Sequence, residues 1–376
     1  MIQAKPTHFY NLDGFRAIAA FFVIFAHISY WFKYPDTSFF ETYKFILSFG
    51  SGGGRMCVIF FFVLSGFLIT YLMYLEQSKH GKLNVLYFYI RRALRIWPLY
   101  YLTLIIGFFI YPAYVSLTGQ SHHENANLLY YSFFAANFDH IYNYFPSCNI
   151  LGVQWSVAVE EQFYLLWPLV FLLFNNKRLF PYILIACILF SKLFHAVVAS
   201  NLKGGDYHLL SCFKYLALGA LIAYICYNKT ETVRYYISKI KKWVSILIYI
   251  VCVFTMLFQE YLIANLVYYK YLYHIVPFIF FGYVIVEQNF SDNSFYKIGN
   301  SSLLKWLGKI SYGLYLTHMI AINIVIEIFT NSSDFVIIKG LLSVLITILL
   351  SYLSYNYFEK YFLSWKKRFS FLEKQN

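Results

Sequence analysis

Charged residues are scarce in this chain, and their scarcity decides its class. Asp, Glu, Lys and Arg make up only 12% of the 376 residues, whereas 60% are hydrophobic. A typical soluble domain carries about 25% charged residues. Long apolar runs such as 57–75 and 337–353 recur between short polar stretches. This pattern excludes an ordinary soluble domain and predicts an all-α, polytopic integral membrane protein in contact with the lipid bilayer.

Cysteine is also sparse, and its placement excludes two classes of site. The six cysteines form no C-x-x-C pair. Five fall in predicted spans, where we interpret them as small apolar packing residues. A disulfide framework is therefore not expected. No cysteine and histidine set has metal-ligand spacing, and no P-loop or G-x-S-x-G motif is present. We therefore expect no metal site.

Basic residues outnumber acidic ones, giving a net charge of +13, but their distribution argues against nucleic-acid binding. They gather in alternate loops, which is the signature of membrane orientation. The 41 Phe and 38 Tyr lie inside apolar segments rather than in basic patches. The aromatic residues therefore fit lipid-facing and interfacial positions, and no nucleic-acid partner is expected.

The apolar runs predict ten membrane spans and place both termini on the same side. If the N-terminus is on the cytoplasmic side, 22 of the 30 Lys and Arg residues lie in cytoplasmic segments or at the adjoining helix starts. The positive-inside rule therefore predicts cytoplasmic termini. The predicted spans are 14–32, 55–75, 96–114, 152–174, 179–199, 208–227, 243–260, 265–286, 310–329 and 336–357.

The first span carries two costly residues, Arg16 and His27. An ionisable side chain costs roughly 3 kcal/mol at the centre of an inserted helix. Eleven residues make about three helical turns, so both side chains share one face about 16 Å apart along the axis. Asp13 is placed to cap the helix and to pair with Arg16. His27 is a candidate general base, and a hydrogen-bonded packing histidine is the alternative.

Three further motifs carry candidate functional residues. Arg91, Arg92 and Arg95 suit bidentate phosphate binding at the cytoplasmic side, although such clusters also serve simply as topology signals. Ser156 and Glu160 share a helix face next to Trp155, and Glu160 with Glu161 places two acids in a span, where a carboxylate could orient an imidazole. The remaining candidates are Ser65 beside Gly66, which also fits close helix packing, and the polar stripe of Ser311, Tyr315 and His318.

Taken in order, these motifs resemble the acyltransferase-3 family of membrane acyltransferases. The matching segments are Leu12-Asp13-Gly14-Phe15-Arg16-Ala17 with His27, Phe62-x-x-Ser65-Gly66-Phe67-Leu68, Arg91-Arg92-x-x-Arg95-Ile96-x-Pro98-x-Tyr100, Trp155-Ser156-x-x-x-Glu160-Glu161-Gln162-Phe163-Tyr164 and Ser311-Tyr312-x-x-Tyr315-Leu316-x-His318. They span residues 12–318.

The resemblance implies a multi-pass protein of the bacterial cytoplasmic (inner) membrane. It implies transfer of an acyl group, usually acetyl in this family, from cytoplasmic acetyl-CoA or another acyl-CoA to a hydroxyl of an extracytoplasmic glycan, such as lipopolysaccharide O-antigen or capsule. We expect a single membrane domain over 1–376 without the fused SGNH domain of some members. A separate periplasmic transfer partner would then be one way to complete the reaction.

The resemblance also suggests a role for each candidate residue. Arg91, Arg92 and Arg95 would hold the CoA phosphates, and Arg16 would line the entry. His27 would act as general base or form a transient acyl-imidazole, with Glu160 or Glu161 orienting it. Asp13, Ser65, Trp155, Ser156, Tyr315 and His318 are candidates for the pore or for supporting contacts.

Two other classes of function stay open at this point. A glycan or small-molecule transporter or flippase would also have many spans with ionisable groups inside the membrane, and paired broken helices in its two halves would mark it. No such pair is evident. A structural partner in glycan assembly would need no single essential ionisable residue.

Overall fold

The computed structural model of the protein describes residues 5–32, 38–119, 121–174, 178–266, 275–329 and 335–370. Within these residues the chain is built from helices and contains no strand, which confirms the predicted all-α class. The α-helices are α1 (Tyr10–Trp31), α2 (Ser38–His80), α3 (Val85–Ile105), α4 (Tyr111–Leu117), α5 (Leu128–Ser132), α6 (Ala136–Tyr142), α7 (Gln154–Phe174), α8 (Phe180–Val197), α9 (Leu209–Asn228), α10 (Thr230–Ser238), α11 (Lys242–Leu257), α12 (Gln259–Asn265), α13 (Ile275–Phe290), α14 (Ser302–Lys309), α15 (Ser311–Ile328), α16 (Val336–Leu353) and α17 (Lys360–Lys366).

Eight helical segments of the described chain are long and apolar enough to cross a membrane. Two of the ten predicted spans are not among these eight segments. The seventh, 243–260, overlaps α11, which meets the test only together with α10, and the two helices are bent by 92° at a short break. The eighth, 265–286, lies partly outside the described residues, and its described part overlaps α13. A multi-pass protein is confirmed, while the exact count of ten and the cytoplasmic termini stay predictions.

Local sequence explains where several helices begin and bend. The Asn84 side chain accepts a hydrogen bond from the Tyr87 backbone N–H at the start of α3, which is the usual role of an N-cap residue. Between α3 and α4 the helix opens into a π-turn at Ile106–Ile110. Pro112 follows directly and lacks a backbone N–H, which accounts for the irregular turn.

The described residues form two compact units, and each unit combines separate stretches of sequence. Unit 1 comprises the described parts of 1–71 and 218–348, and unit 2 those of 72–217 and 349–376. Unit 1 therefore contains α1 and α15, while unit 2 contains α3 and α7.

The N-terminal part of α1 is packed tightly within unit 1. The Asn11 side chain donates to the Gln288 carbonyl at 2.6 Å and accepts from the Gly299 N–H at 2.9 Å. Gly308 in α14 lies directly against the Asp13 carbonyl, where a Cβ atom would have no room. These contacts fix the position and direction of the helix that carries Arg16 and His27.

Candidate active site

Arg16 lies one turn into α1 and is paired with Asp13. Arg16 Nη1 donates to Asp13 Oδ1 at 3.4 Å, and the other carboxylate oxygen of Asp13 is 2.8 Å from His8 Nε2. The predicted Asp13–Arg16 pair is therefore present. The predicted cap is wrong, because α1 already begins at Tyr10 and Asp13 lies within its first turn.

His27 lies about three turns farther along α1, is half-buried, and contacts a second histidine. His27 Nδ1 is 3.0 Å from the Val23 carbonyl and 3.2 Å from Nε2 of His318 in α15. The two imidazole centroids are 4.9 Å apart. His318, which is fully buried, therefore contacts the residue with the strongest claim to be the general base.

The hydrogen bonds of the two histidines indicate which nitrogen atoms carry protons. His318 Nδ1 is 2.6 Å from the Tyr315 carbonyl, which only an N–H can satisfy. In the neutral ring, Nε2 of His318 is then an acceptor. His27 Nδ1, facing both the Val23 carbonyl and this acceptor, must carry the proton, so Nε2 of His27 keeps the lone pair that a general base needs.

Tyr315 and Ser65 lie in the helices around this pair. The Tyr315 ring is 5.9 Å from the His318 ring and 6.1 Å from the Phe61 ring of α2. Ser65, one turn beyond Phe61, is half-buried. Gly219 of α9 packs directly on the Val63 carbonyl. The segment around Ser65 and Gly66 therefore lies at a close helix contact, as the packing interpretation predicts.

The arginine cluster of α3 divides into two kinds of residue. Arg91 is buried, and its Nη2 atom donates to Glu76 Oε2 at 2.6 Å. Its Nη1 atom donates to the Phe369 carbonyl at 2.9 Å, near the C-terminal end of the described chain. These contacts favour a structural role for Arg91 over the predicted phosphate contact.

Arg92 and Arg95 differ from Arg91 because both are half-buried. The Arg92 guanidinium lies 5.7 Å from the Phe88 ring and 5.9 Å from the Tyr164 ring, which are cation–π distances. Arg92 and Arg95 therefore remain the stronger phosphate candidates of the cluster.

The two predicted carboxylates of α7 have different partners within unit 2. Glu160 Oε2 accepts a hydrogen bond from Tyr164 at 2.6 Å. Glu161 Oε2 accepts from the Trp97 indole N–H at 2.8 Å, while its Oε1 atom is buried without a partner among the described residues. Trp97 is a contact that sequence analysis missed. Glu160 and His27 belong to different units, so their predicted pairing stays a prediction.

Trp155 and Ser156, at the start of α7, make contacts that organise the chain locally. The Trp155 ring is 4.6 Å from the Tyr207 ring. Ser156 is buried and donates to the Val153 carbonyl at 3.3 Å. Both contacts support a structural role, and a pore role stays a prediction.

The loop between α4 and α7 is ordered around Glu124 and a buried tyrosine–histidine pair. Glu124 accepts hydrogen bonds from the backbone N–H groups of Ala126, Ser147 and Cys148. Tyr131 and His140 are both buried, and their polar tips are 2.8 Å apart. Burial lowers the pKa of His140 to about 4, so its imidazole is neutral at pH 7. No group of metal-ligating residues occurs in the described chain.

An apolar cavity of about 390 Å³ lies within unit 1 beside α1. Phe15, Ile18 and Phe22 line it from α1, and Tyr249 and Gln288 supply polar groups. At about 100° per residue, these α1 positions lie on a different face from Arg16 and His27. The cavity is therefore separate from the histidine pair.

Comparison with known proteins decides the family. The model of the Acyltransferase domain family, acyltransferase 3, matches residues 9–356, which is most of the chain. The chain belongs to the acyltransferase-3 family. The match includes all the sequence motifs named above, so the resemblance based on those motifs is confirmed.

Several curated relatives are O-acetyltransferases by name. The chain is 28% identical to the peptidoglycan O-acetyltransferase OatA of Listeria monocytogenes, over 93% of this chain and 55% of the relative. It is 27% identical to the putative peptidoglycan O-acetyltransferase YrhL of Bacillus subtilis, over 93% and 54%. It is 28% identical to the O-acetyltransferase OatA of Staphylococcus aureus, over 94% and 57%. The chain thus spans about 55% of the length of these relatives. No solved structure matches it.

Proposed function

We propose that this protein is a membrane O-acetyltransferase that moves acetyl from cytoplasmic acetyl-CoA to a hydroxyl of an extracytoplasmic glycan. The observation that carries the proposal is His27, a half-buried imidazole in a predicted span whose Nε2 is left with its lone pair. Family membership supports an acyl-transfer role for this base.

His27 Nε2 begins the proposed reaction. It removes the proton of the acceptor hydroxyl as the oxygen attacks the thioester carbonyl. The new C–O bond forms, the C–S bond breaks, and the proton passes from the imidazolium to the departing CoA thiolate. In the alternative route Nε2 attacks the carbonyl itself, the C–S bond breaks, and CoA leaves as its thiolate, which gives a transient acyl-imidazole. The acceptor hydroxyl then attacks the acyl carbon, the C–N bond breaks, and the hydroxyl proton neutralises the thiolate. Both routes need the same lone pair.

Arg92 and Arg95 are the proposed contacts for the donor phosphates. Guanidinium groups bind phosphate bidentately, and the positive-inside rule predicts a cytoplasmic position for this end of α3. The predicted entry role of Arg16 is consistent with its half-buried position, although Asp13 offsets part of its charge. The donor would therefore be recognised mainly through its phosphates.

The proposed acceptor is a glycan outside the cytoplasmic membrane. The relatives named above suggest peptidoglycan as the first acceptor to test. O-antigen and capsule are the surface glycans implied by the motifs, and they form the other arms of the test. The proposed acceptor hydroxyl belongs to a sugar in all three cases.

The test is transfer of radiolabelled acetyl from acetyl-CoA, supplied on the cytoplasmic side of sealed membrane vesicles, to each purified glycan. Wild-type protein is expected to label one glycan. His27→Ala should lose at least about a hundredfold in rate, the usual contribution of a general base. His123→Ala, the same change at an exposed histidine, is the control and should retain activity. Full transfer by His27→Ala would refute the base, and glycan uptake without acetyl-CoA would favour a transporter.

A further inference from the structure

The contact between His318 and His27 joins residues 291 positions apart in sequence within unit 1. His318 is fully buried, and each of its ring nitrogens has a distinct partner. Nδ1 lies 2.6 Å from the Tyr315 carbonyl, and Nε2 lies 3.2 Å from His27 Nδ1. The Tyr315 carbonyl thus orients His318 with its acceptor nitrogen toward His27.

We propose that His318 is a positioning residue for the reaction of His27, an inference that rests on the proposed acyl transfer. His318 Nε2 accepts the Nδ1–H of His27 and thereby keeps the His27 tautomer in which Nε2 is unprotonated. When Nε2 takes the acceptor proton, the Nδ1–H becomes part of an imidazolium. Its hydrogen bond to His318 then becomes charge-assisted and stronger. The contact therefore stabilises the charged form of the base.

A neutral imidazole suits this position better than a carboxylate would. His318 is completely buried, and an ionised acid there would carry a large desolvation cost unless another charge paired with it. A neutral acceptor orients the base without placing a permanent charge in the span. His318 thus performs within unit 1 the orienting task that sequence analysis assigns to Glu160.

Substitutions that differ only in an acceptor atom test the proposal. His318→Leu removes the acceptor, whereas His318→Gln retains an amide oxygen at the end of a side chain of similar reach. Met319→Leu, a volume-conserving change at the next buried position, is the control. His318→Leu should lower kcat for acetyl transfer about 10- to 100-fold with an unchanged KM for acetyl-CoA. His318→Gln should recover most of the loss, and Met319→Leu should leave kcat unchanged.

A second readout does not depend on activity. In ¹⁵N-histidine NMR of the full protein, with the His27 signals assigned by their loss in His27→Gln, the wild type should show protonated Nδ1 and unprotonated Nε2. His318→Leu should mix the two tautomers, and Met319→Leu should not. If the wild type transfers no acetyl, the proposed function fails, while loss of the fixed tautomer in His318→Leu would still support the positioning contact.

Two results would overturn the proposal. The first is an unchanged His27 tautomer in His318→Leu. The second is a His318→Gln variant that transfers acetyl no faster than His318→Leu, because the acceptor atom would then have no effect. Thermal unfolding of each variant shows whether its fold is intact. If His318→Leu does not fold, His318→Phe takes its place in both measurements.

Discussion

His27–His318 in unit 1 and Arg91–Glu76 in unit 2 are two contrasting ways to keep ionisable side chains inside an apolar helix bundle. Arg91 and Glu76 form an ion pair that is almost completely buried, with side-chain exposures of 8% and 4%. The two histidines contact each other through their ring nitrogens with no acidic partner in that contact, and His27 is only half-buried. In the first pair, strong hydrogen bonds offset the cost of burying two charges. In the second, the neutral imidazoles of the proposed mechanism hydrogen-bond without a buried charge until His27 takes up a proton.

The contrast shows how to separate structural ionisable residues from candidate catalytic ones. A buried ion pair with good geometry holds both side chains in one arrangement. Its hydrogen bonds then stabilise the fold and are not available to a substrate. A half-buried imidazole such as His27 keeps Nε2 without a hydrogen-bond partner among the described residues. Perturbed or costly groups mark candidate functional sites only when their bonding capacity is not already satisfied. By this criterion His27 is a candidate and Arg91 is not.

Breaking the ion pair should give the largest effect on stability. Arg91→Met leaves Glu76 as an unpaired buried charge and also removes the donor to the Phe369 carbonyl. Loss of one partner of a buried pair costs about 3–5 kcal/mol, so the free energy of unfolding should fall by about that amount. The double change Glu76→Leu with Arg91→Met should recover much of the loss, because it leaves no unpaired charge. Unfolding in detergent micelles measures both effects.

An exposed ion pair of the same chain is the control. Arg234 donates two hydrogen bonds to Asp292, at 2.5 and 2.6 Å, but both side chains are partly exposed. Arg234→Met should therefore lower the free energy of unfolding by no more than about 1 kcal/mol. Equal losses for Arg91→Met and Arg234→Met would contradict the structural role of Arg91.

A pH series can test whether buried histidines in this protein are held neutral, using His140 outside the spans. Burial lowers the pKa of His140 to about 4, whereas an unfolded histidine titrates near 6.5. As the pH falls from 6.5 to 4, the unfolded state takes up a proton that the folded state does not. Stability present above pH 6.5 should therefore decrease by up to about 3 kcal/mol as the pH falls to 4.

The matched variants for this series are His140→Gln and His123→Gln. Gln retains an acceptor for the Tyr131 hydroxyl but does not titrate, so His140→Gln should flatten the pH dependence of the unfolding temperature relative to wild type. His123 is exposed, and His123→Gln should leave that dependence as it is. Identical slopes for both variants would show that His140 is not held neutral.

Local periodicity predicted what lies within one helix, and it failed for contacts between distant segments. The shared face of Arg16 and His27 and the Asp13–Arg16 pair follow from helical spacing alone. The partner of His27 does not, because His318 is 291 residues away and no local rule joins α1 to α15. The polar stripe of Ser311, Tyr315 and His318 was the available signal, since polar residues in a span face the protein interior.

The arginine cluster shows the same limit in another form. Helical spacing placed Arg91, Arg92 and Arg95 together. Only the fold shows that the Arg91 guanidinium already binds Glu76 and the Phe369 carbonyl. Glu76 ends an apolar run, and an acid at that position is a signal for a buried basic partner. This signal was not used in the sequence-based prediction. The capping prediction for Asp13 failed because helix ends are set by contacts such as that of Asn11 with Gly299.

Donor binding gives a second test of the difference between Arg91 and the other two arginines. If Arg92 and Arg95 hold the donor phosphates, Arg92→Met and Arg95→Met should each raise the KM for acetyl-CoA about tenfold, equivalent to about 1.4 kcal/mol. Raised salt should diminish the difference from wild type, because it screens the charge interaction that the variants lack. Arg91→Met, assayed at a temperature where it stays folded, should leave this KM unchanged although it is the least stable of the three. A KM raised as much by Arg91→Met as by Arg92→Met would mean that the Glu76 pair opens to bind donor, and the division between structural and binding arginines would be wrong.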